Sequence, residues 1–324
     1  MLFTPAVYEH AAKLIGKTPW QVSRDTDLLT TAHETAFRMY RHTPVVVGID
    51  VYNLEAEAYG ATVEEPSGTG IPAIRRHICQ SVQDIAGLKK PDPKADGRLP
   101  IVIEAARRLT RLLPDADIRI PLSGPFSIAS NLIGFDTLLM EAMVDPESTR
   151  EALMALVENE FAIAREAKEY GLGITLFESA ATPPLISPEM FTEVELPALK
   201  ALIKGCNDIM GEPSSCVIGG DTAPVLESLL ETGVGYVICP SETDQHAFME
   251  TMKRHEEVMV RVNMNPEIIS RGEMPAVRAE VDRAFAVAGS RQRVCLGTGV
   301  LPFETDPQVI HAISAYCAEL SKRA

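Results

Sequence analysis

The sequence predicts an α/β chain built as a (β/α)8 TIM-type barrel with an N-terminal helical extension. Three observations carry this reading. Short apolar, β-branched runs recur along the 324 residues, each followed by a polar or Gly/Pro loop and then a helical pattern. Strands that alternate with helices make a parallel sheet with right-handed crossovers. Seven or eight such units over about 300 residues favour a closed barrel over the alternative, an open Rossmann-type sheet. No strand is followed by GxGxxG or by a P-loop, so nucleotide binding has no motif behind it.

In chain order, residues 1–44 read as an N-terminal helical cap, and residues 45–324 as the barrel. Strands are expected at 45–50, 117–122, 173–178, 215–219, 236–239, 258–263 and 293–296. Helices are expected near 127–138, 145–170, 189–205, 223–232, 244–254, 274–288 and 306–322. Residues 64–100 hold Pro66, Gly68, Gly70, Pro72, Pro91, Pro93, Gly97 and Pro100, and so form a long excursion after the first expected strand. In a barrel such an insertion sits over the C-terminal mouth.

Composition bounds the function. Thirty Lys and Arg against 45 Asp and Glu give a net charge of −15, which argues against a nucleic-acid or anionic-membrane surface. No stretch approaches the roughly 18 apolar residues of a membrane span. Glu9, Lys13 and Lys17 interrupt any signal-peptide core, so a cytoplasmic protein is expected. The six cysteines show no CxxC pairing and are expected to be reduced core residues.

Barrel enzymes carry their chemistry where strands end. That rule selects Asp50, Ser123, Glu178, Asp221, Glu242 with His246, Asn263 with Asn265, and Thr298. Asp50 and Glu178 close apolar strands and are expected to point into the mouth. Asp221 either faces substrate or caps the following helix. Asn263 and Asn265 flank Met264 ahead of Pro266, either orienting substrate or closing a turn. Thr298 sits between Gly297 and Gly299, where backbone can approach a ligand closely.

Four segments extend the reading: PLSGPFSIAS at 121–130, LISPEMF at 185–191, VLESLLETG at 225–233 and LGTGVLPFET at 296–305. Together they resemble the uroporphyrinogen decarboxylase superfamily, a (β/α)8 barrel family that holds decarboxylases and cobalamin-dependent methyltransferases. The decarboxylases carry an Arg-rich RQAGRY-like segment. Its counterpart here, TPVVVGIDVYN at 43–53, has no Arg, and the family's GHG histidine is Thr298. A polyanionic porphyrinogen needs clustered guanidiniums, so a decarboxylase is the second choice. The methylcobamide:thiol methyltransferases bind zinc through H-x-C and a distant Cys, which fall here on Val217, Gly219 and Thr298.

The resemblance that remains is to the O-demethylase methyltransferase I group. It implies transfer of a methyl group from a methoxylated, aromatic ether donor to cobalt(I) of a separate corrinoid protein. Some members carry an E-x14-E-x20-H zinc motif; Glu178 and Glu193 match its first spacing, and Ser214 takes the place of the His. The resemblance therefore implies a possible zinc held by Glu178 and Glu193, completed by Cys216, Cys239 or His246. In that reading Glu178 is either metal ligand or general acid, and Asp50 and Asn263 position the donor. Ser123, Phe126, Asp221, Asn265 and Thr298 line the substrate, and Tyr52 with Tyr40 forms an aromatic wall. No DxHxxG cobalamin-binding signature occurs, so the corrinoid is expected to arrive on a partner. A decarboxylase acting without a corrinoid partner and a non-catalytic tetrapyrrole binder remain the rival readings.

Overall fold

Parallel strands are covered on both faces and read as near-continuous apolar runs, as GITLF, YVIC and MVRVNM do here. The computed structural model describes residues 2–323. Its strands are β1 (Leu2–Ala6), β2 (Val45–Val46), β3 (Thr62–Glu64), β4 (Ala73–Arg76), β5 (Ile118–Ser123), β6 (Gly173–Phe177), β7 (Ser215–Val217), β8 (Tyr236–Cys239), β9 (Met259–Met264) and β10 (Val294–Val300). Eight of them form one parallel sheet in the order β1-β10-β9-β8-β7-β6-β5-β2, and β3 and β4 form a separate antiparallel hairpin. The curled sheet with helices outside it is the expected TIM-type fold.

One boundary needs correction. The first barrel strand lies inside the segment expected to be a helical cap, because β1 pairs in parallel with β10. Pro5 hides it, since proline demotes a run to a non-strand by its missing N–H. The register slips between Thr4 and Ala6, and the hydroxyl of Thr298 accepts the Ala6 N–H at 3.1 Å. Residues 9–40 are helical as expected, in three helices, Glu9–Leu14, Pro19–Ser23 and Thr26–Tyr40. The seam between β1 and β2 is bridged by a side chain: Thr4 Oγ1 donates to Thr43 O (2.9 Å) and accepts from Thr43 N (3.3 Å).

Side chains alternate across each strand. Thr175, Phe177, Ser215, Val217, Tyr236, Arg261 and Asn263 turn inward and line two cavities inside the barrel, of about 20 and 140 Å³. Their neighbours Ile174, Leu176, Cys216, Val237 and Val262 turn outward and are buried beneath the helices. All six cysteines are free and buried, as expected. No single helix among the described residues is long and apolar enough to cross a membrane.

The excursion crosses the C-terminal end of the barrel. Its hairpin is tied to the loop after β10 by Thr69 Oγ1 donating to Glu304 Oε1 (3.2 Å), and to the segment after β2 by Asn53 Nδ2 donating to Pro72 O (2.8 Å). It returns through Arg98, at the start of the helix Leu99–Leu112. There Asp50 departs from its expected catalytic role. Its carboxylate takes both terminal nitrogens of Arg98 at 2.6 Å each, plus Asn53 Nδ2 at 3.0 Å, and is 1% exposed. Arg98 also holds Glu57, which pairs with Arg24 at 2.8 Å. Both oxygens of Asp50 are thus spent on structure, and it presents no free acid to a substrate. Breaking a buried pair leaves an uncompensated charge in a low-dielectric interior. Arg98→Ala is therefore expected to cost about 3–5 kcal/mol of stability, read as a lower midpoint in urea unfolding with an unchanged m-value.

Candidate active site

The larger cavity opens at the C-terminal ends of the strands. Phe177 is one of its lining residues, with the rings of Tyr8 and Tyr52 each 5.9 Å away at 78° and 90°. Such edge-to-face contacts suit the aromatic quadrupole. Tyr52 was expected in this wall. Tyr8, beyond the end of the unrecognised β1, was not, and Tyr40 instead bonds His10 at 2.8 Å outside the cavity. Asn263 lines the same cavity. Its Oδ1 accepts from Arg261 Nε at 2.9 Å, so its amide is oriented with Nδ2 left as a donor. Ser179, Glu242, Val217 and Gly219 also line the cavity. Two of the three positions that carry zinc ligands in the thiol branch thus face the cavity, as Val217 and Gly219, and supply no metal donor. The third, Thr298, is fully buried in the wall, where it serves β1.

Glu9 was not among the expected site residues. It follows Tyr8 at the start of the helix Glu9–Leu14, is 5% exposed, and its Oε2 has no hydrogen-bond partner. Burial pushes its carboxyl up to about 7, and its charge acts on both Tyr8 and Tyr52. Burial likewise raises both phenols, which stay protonated as donors. The signal that could have found Glu9 is its place just past a strand end, and that signal was lost with β1.

Glu178 does not face the mouth. Alternation aims Phe177 inward, so Glu178 turns outward into the layer between barrel and helices, where it is fully buried. It accepts from Ser127 Oγ at 2.5 Å and, at 3.4 Å each, from Ser127 N and Ala181 N. This caps the helix Pro125–Ile133, whose own N-cap residue, Gly124, has no side chain to offer. A Cβ on Gly124 would lie 2.0 Å from Glu178 Oε2, which explains the glycine. The same packing explains the rest of that motif: Phe126 is buried against Phe135 (6.4 Å), and Ser123 gives both its N–H and its hydroxyl to Glu55 at 2.7 Å. Neither lines the cavity as expected.

The partner of Glu178 is Glu195, not Glu193. The chain makes a single π-helical turn at Phe191–Glu195, and two residues along a helix reverse the face. Glu193 is exposed, with its carbonyl accepting from Arg150 (3.3 Å), while Glu195 is fully buried. Burial, then the charge of Glu178, raises Glu195 well above the usual carboxylate range, and burial raises Glu178 as well. Cys216 lies on the same outer face; burial and then the two carboxylates push its thiol up. His246 is exposed at the start of the helix Gln245–Met252, its N–H on Asp244. The four expected zinc ligands therefore do not converge. No group of three or more His, Cys, Asp or Glu among the described residues is arranged to hold a metal ion. The residues present do not fit a zinc ion.

The remaining expectations are structural. Asp221 accepts from Thr243 Oγ1 at 2.7 Å. Asn265 caps the helix Pro266–Arg271 through Glu267 N (2.9 Å) and Ile268 N (3.4 Å).

A carboxyl that favours its proton in the folded state loses stability as pH rises from the unfolded value toward the folded one. For Glu9 that window runs from about 4.5 to about 7. Glu9→Gln is expected to remove about 3 kcal/mol of this loss. In urea titrations from pH 4.5 to pH 8 the variant should gain on the parent as pH rises; a constant difference would contradict the assignment.

The comparisons with known proteins agree with this architecture. Over 142 residues the chain is 28% identical to a methylated-thiol–coenzyme M methyltransferase of Methanosarcina mazei, a stretch covering 43% of this chain and 37% of that relative. The chain thus matches little over a third of that protein's length. A solved methyltransferase from Methanosarcina mazei shares the fold, with a TM-score of 0.83 at 19% identity over 98% of this chain and 92% of that one. The profile of the uroporphyrinogen decarboxylase (URO-D) family matches residues 3–320. A match across nearly the whole chain makes it a member of the uroporphyrinogen decarboxylase family.

Proposed function

We propose that this chain is a methyltransferase that takes a methyl group from a small methoxylated aromatic donor and delivers it to a separate corrinoid protein docked over the mouth. The observation that carries this reading is the mouth cavity itself. At about 140 Å³ it is close to the 150 Å³ of cavities that admit a single benzene ring, and Tyr8, Phe177 and Tyr52 wall it. The reaction class is supported by the methyltransferase relative of partial length.

The partner's corrin would supply the cobalt(I) nucleophile, so this chain's task is to hold the donor and protonate its leaving group. The methyl–oxygen bond breaks, and the ether oxygen departs with its electron pair and needs a proton. Phe177 and the two tyrosines orient the ring. Asn263, held by Arg261, directs its Nδ2 donor to the ether oxygen. Glu9 is assigned as the source of that proton: it follows Tyr8 in the chain, its Oε2 is unpartnered, and burial pushes its carboxyl up to about 7, so it favours its proton near neutral pH. No step runs through a bound metal.

The test is methyl transfer from methoxybenzoate or methoxybenzene to a reduced corrinoid protein, followed as loss of the cobalt(I) absorbance. Turnover is expected, falling as pH rises through about 7. Glu9→Gln should lower kcat about 10²-fold and abolish that limb of the profile. Carbon dioxide release from the acid without any corrinoid protein would replace this reading with the decarboxylase one.

A further inference from the structure

Arg261 is buried to 8% exposure inside the barrel and lines both of its cavities. Its Nε donates to Asn263 Oδ1 at 2.9 Å and its guanidinium meets the phenol of Tyr236, and among the described residues no carboxylate stands within ion-pair distance of it. Its electrostatic neighbours are the phenols of Tyr236 and Tyr8 and the thiol of Cys295, all of which burial keeps protonated. Arg98, equally buried, is held by two carboxylates. An arginine cannot shed its charge, so an unpaired buried guanidinium is costly. The fold nevertheless makes room for it. A Cβ on Gly297 of β10 would lie 2.3 Å from Arg261 Cδ and 2.7 Å from Cγ, so the glycine cradles the stem and fixes where the head points.

We propose that Arg261 is an anion-binding residue whose terminal nitrogens receive the carboxylate of a small aromatic acid, with the ring of that acid held between Tyr8, Phe177 and Tyr52. The planar fork of Nη1 and Nη2 matches a carboxylate in two parallel hydrogen bonds, as it also does a phosphate, and the aromatic wall beside it favours the anion that brings a ring. The cavity has room for one ring beside it. Glu242 lines the same cavity and is exposed, while Arg261 is buried. The acid group thus enters first and lies deepest. Identifying this acid as the methyl donor rests on the methyl-transfer reading above; the anion site itself does not.

The test is equilibrium binding to the full chain by calorimetry and thermal shift, with no corrinoid protein present. The probes are 3-methoxybenzoate, methoxybenzene and inorganic phosphate. Methoxybenzoate is expected to bind ten- to a hundredfold more tightly than methoxybenzene, and phosphate not to compete. Arg261→Met should abolish that preference while unfolding at the same or a higher temperature, since it removes an uncompensated charge. Arg261→Lys, which keeps the charge and loses the fork, should recover only part of it. Equal binding of acid and neutral ether to the unaltered protein overturns the proposal without recourse to any variant. Full retention in Arg261→Met overturns it too, and phosphate competing as well as the acid overturns the aromatic class. Methoxybenzoate binding without methyl transfer keeps the anion site and removes the donor role. Methyl transfer with no preference for the acid keeps the function and removes this site.

Discussion

The Asp50–Arg98 ion pair is the contact on which the working end of the barrel depends. It joins the segment after β2 to the start of the helix Leu99–Leu112, and so closes the loop of chain that crosses the mouth. With Glu57 and Asn53 it forms a buried network that fixes both feet of that excursion. A charge pair of this kind adds little net stability over an apolar one, but it fails expensively when half of it is removed. Its value lies in geometry: Tyr52, two residues beyond Asp50, is set against Phe177 because Asp50 cannot move.

The alternation of strand residues sorts the polar groups into two classes. Inward residues, Arg261 and Asn263 among them, face the cavity and can meet a ligand. Outward residues of the same strands, Glu178 and Cys216, lie under the helices and hold the wall together. A carboxylate at a strand end is therefore not catalytic by position alone; one step along the strand moves it from the mouth to the wall. Glu178 illustrates the cost of ignoring this. It caps a helix, lies close enough to Glu195 to raise that carboxyl, and fills the space left by Gly124.

The two buried arginines separate structure from function. Arg98 is saturated by carboxylates, and every donor contact it makes is explained by the fold. Arg261 meets an amide and a phenol, its stem passes over Gly297, and it lines the cavities with no carboxylate beside it among the described residues. Beside this fixed cation, burial pushes the carboxyl of Glu9, next to Tyr8 in the chain, up to about 7.

The sequence by itself determined the barrel, because hydrophobic periodicity is local and each βα unit repeats it. It also determined the family, through four motifs whose residues mostly pack the wall: Phe126, Ser127 and Gly124 around Glu178, and Thr298 and Gly297 beside β1 and Arg261. It pointed to Tyr52 and Asn263, both of which line the cavity. It could not show β1, since Pro5 breaks the strand pattern that pairing with β10 restores, and Tyr8 and Glu9 were lost with that strand. It could not separate Glu193 from Glu195, because a π-helical turn decides which of the two faces inward. Tertiary structure alone decided which charges are spent. Whether Asp50 meets Arg98 and Arg261 meets no carboxylate depends on contacts between residues far apart in the chain, and no local pattern records them.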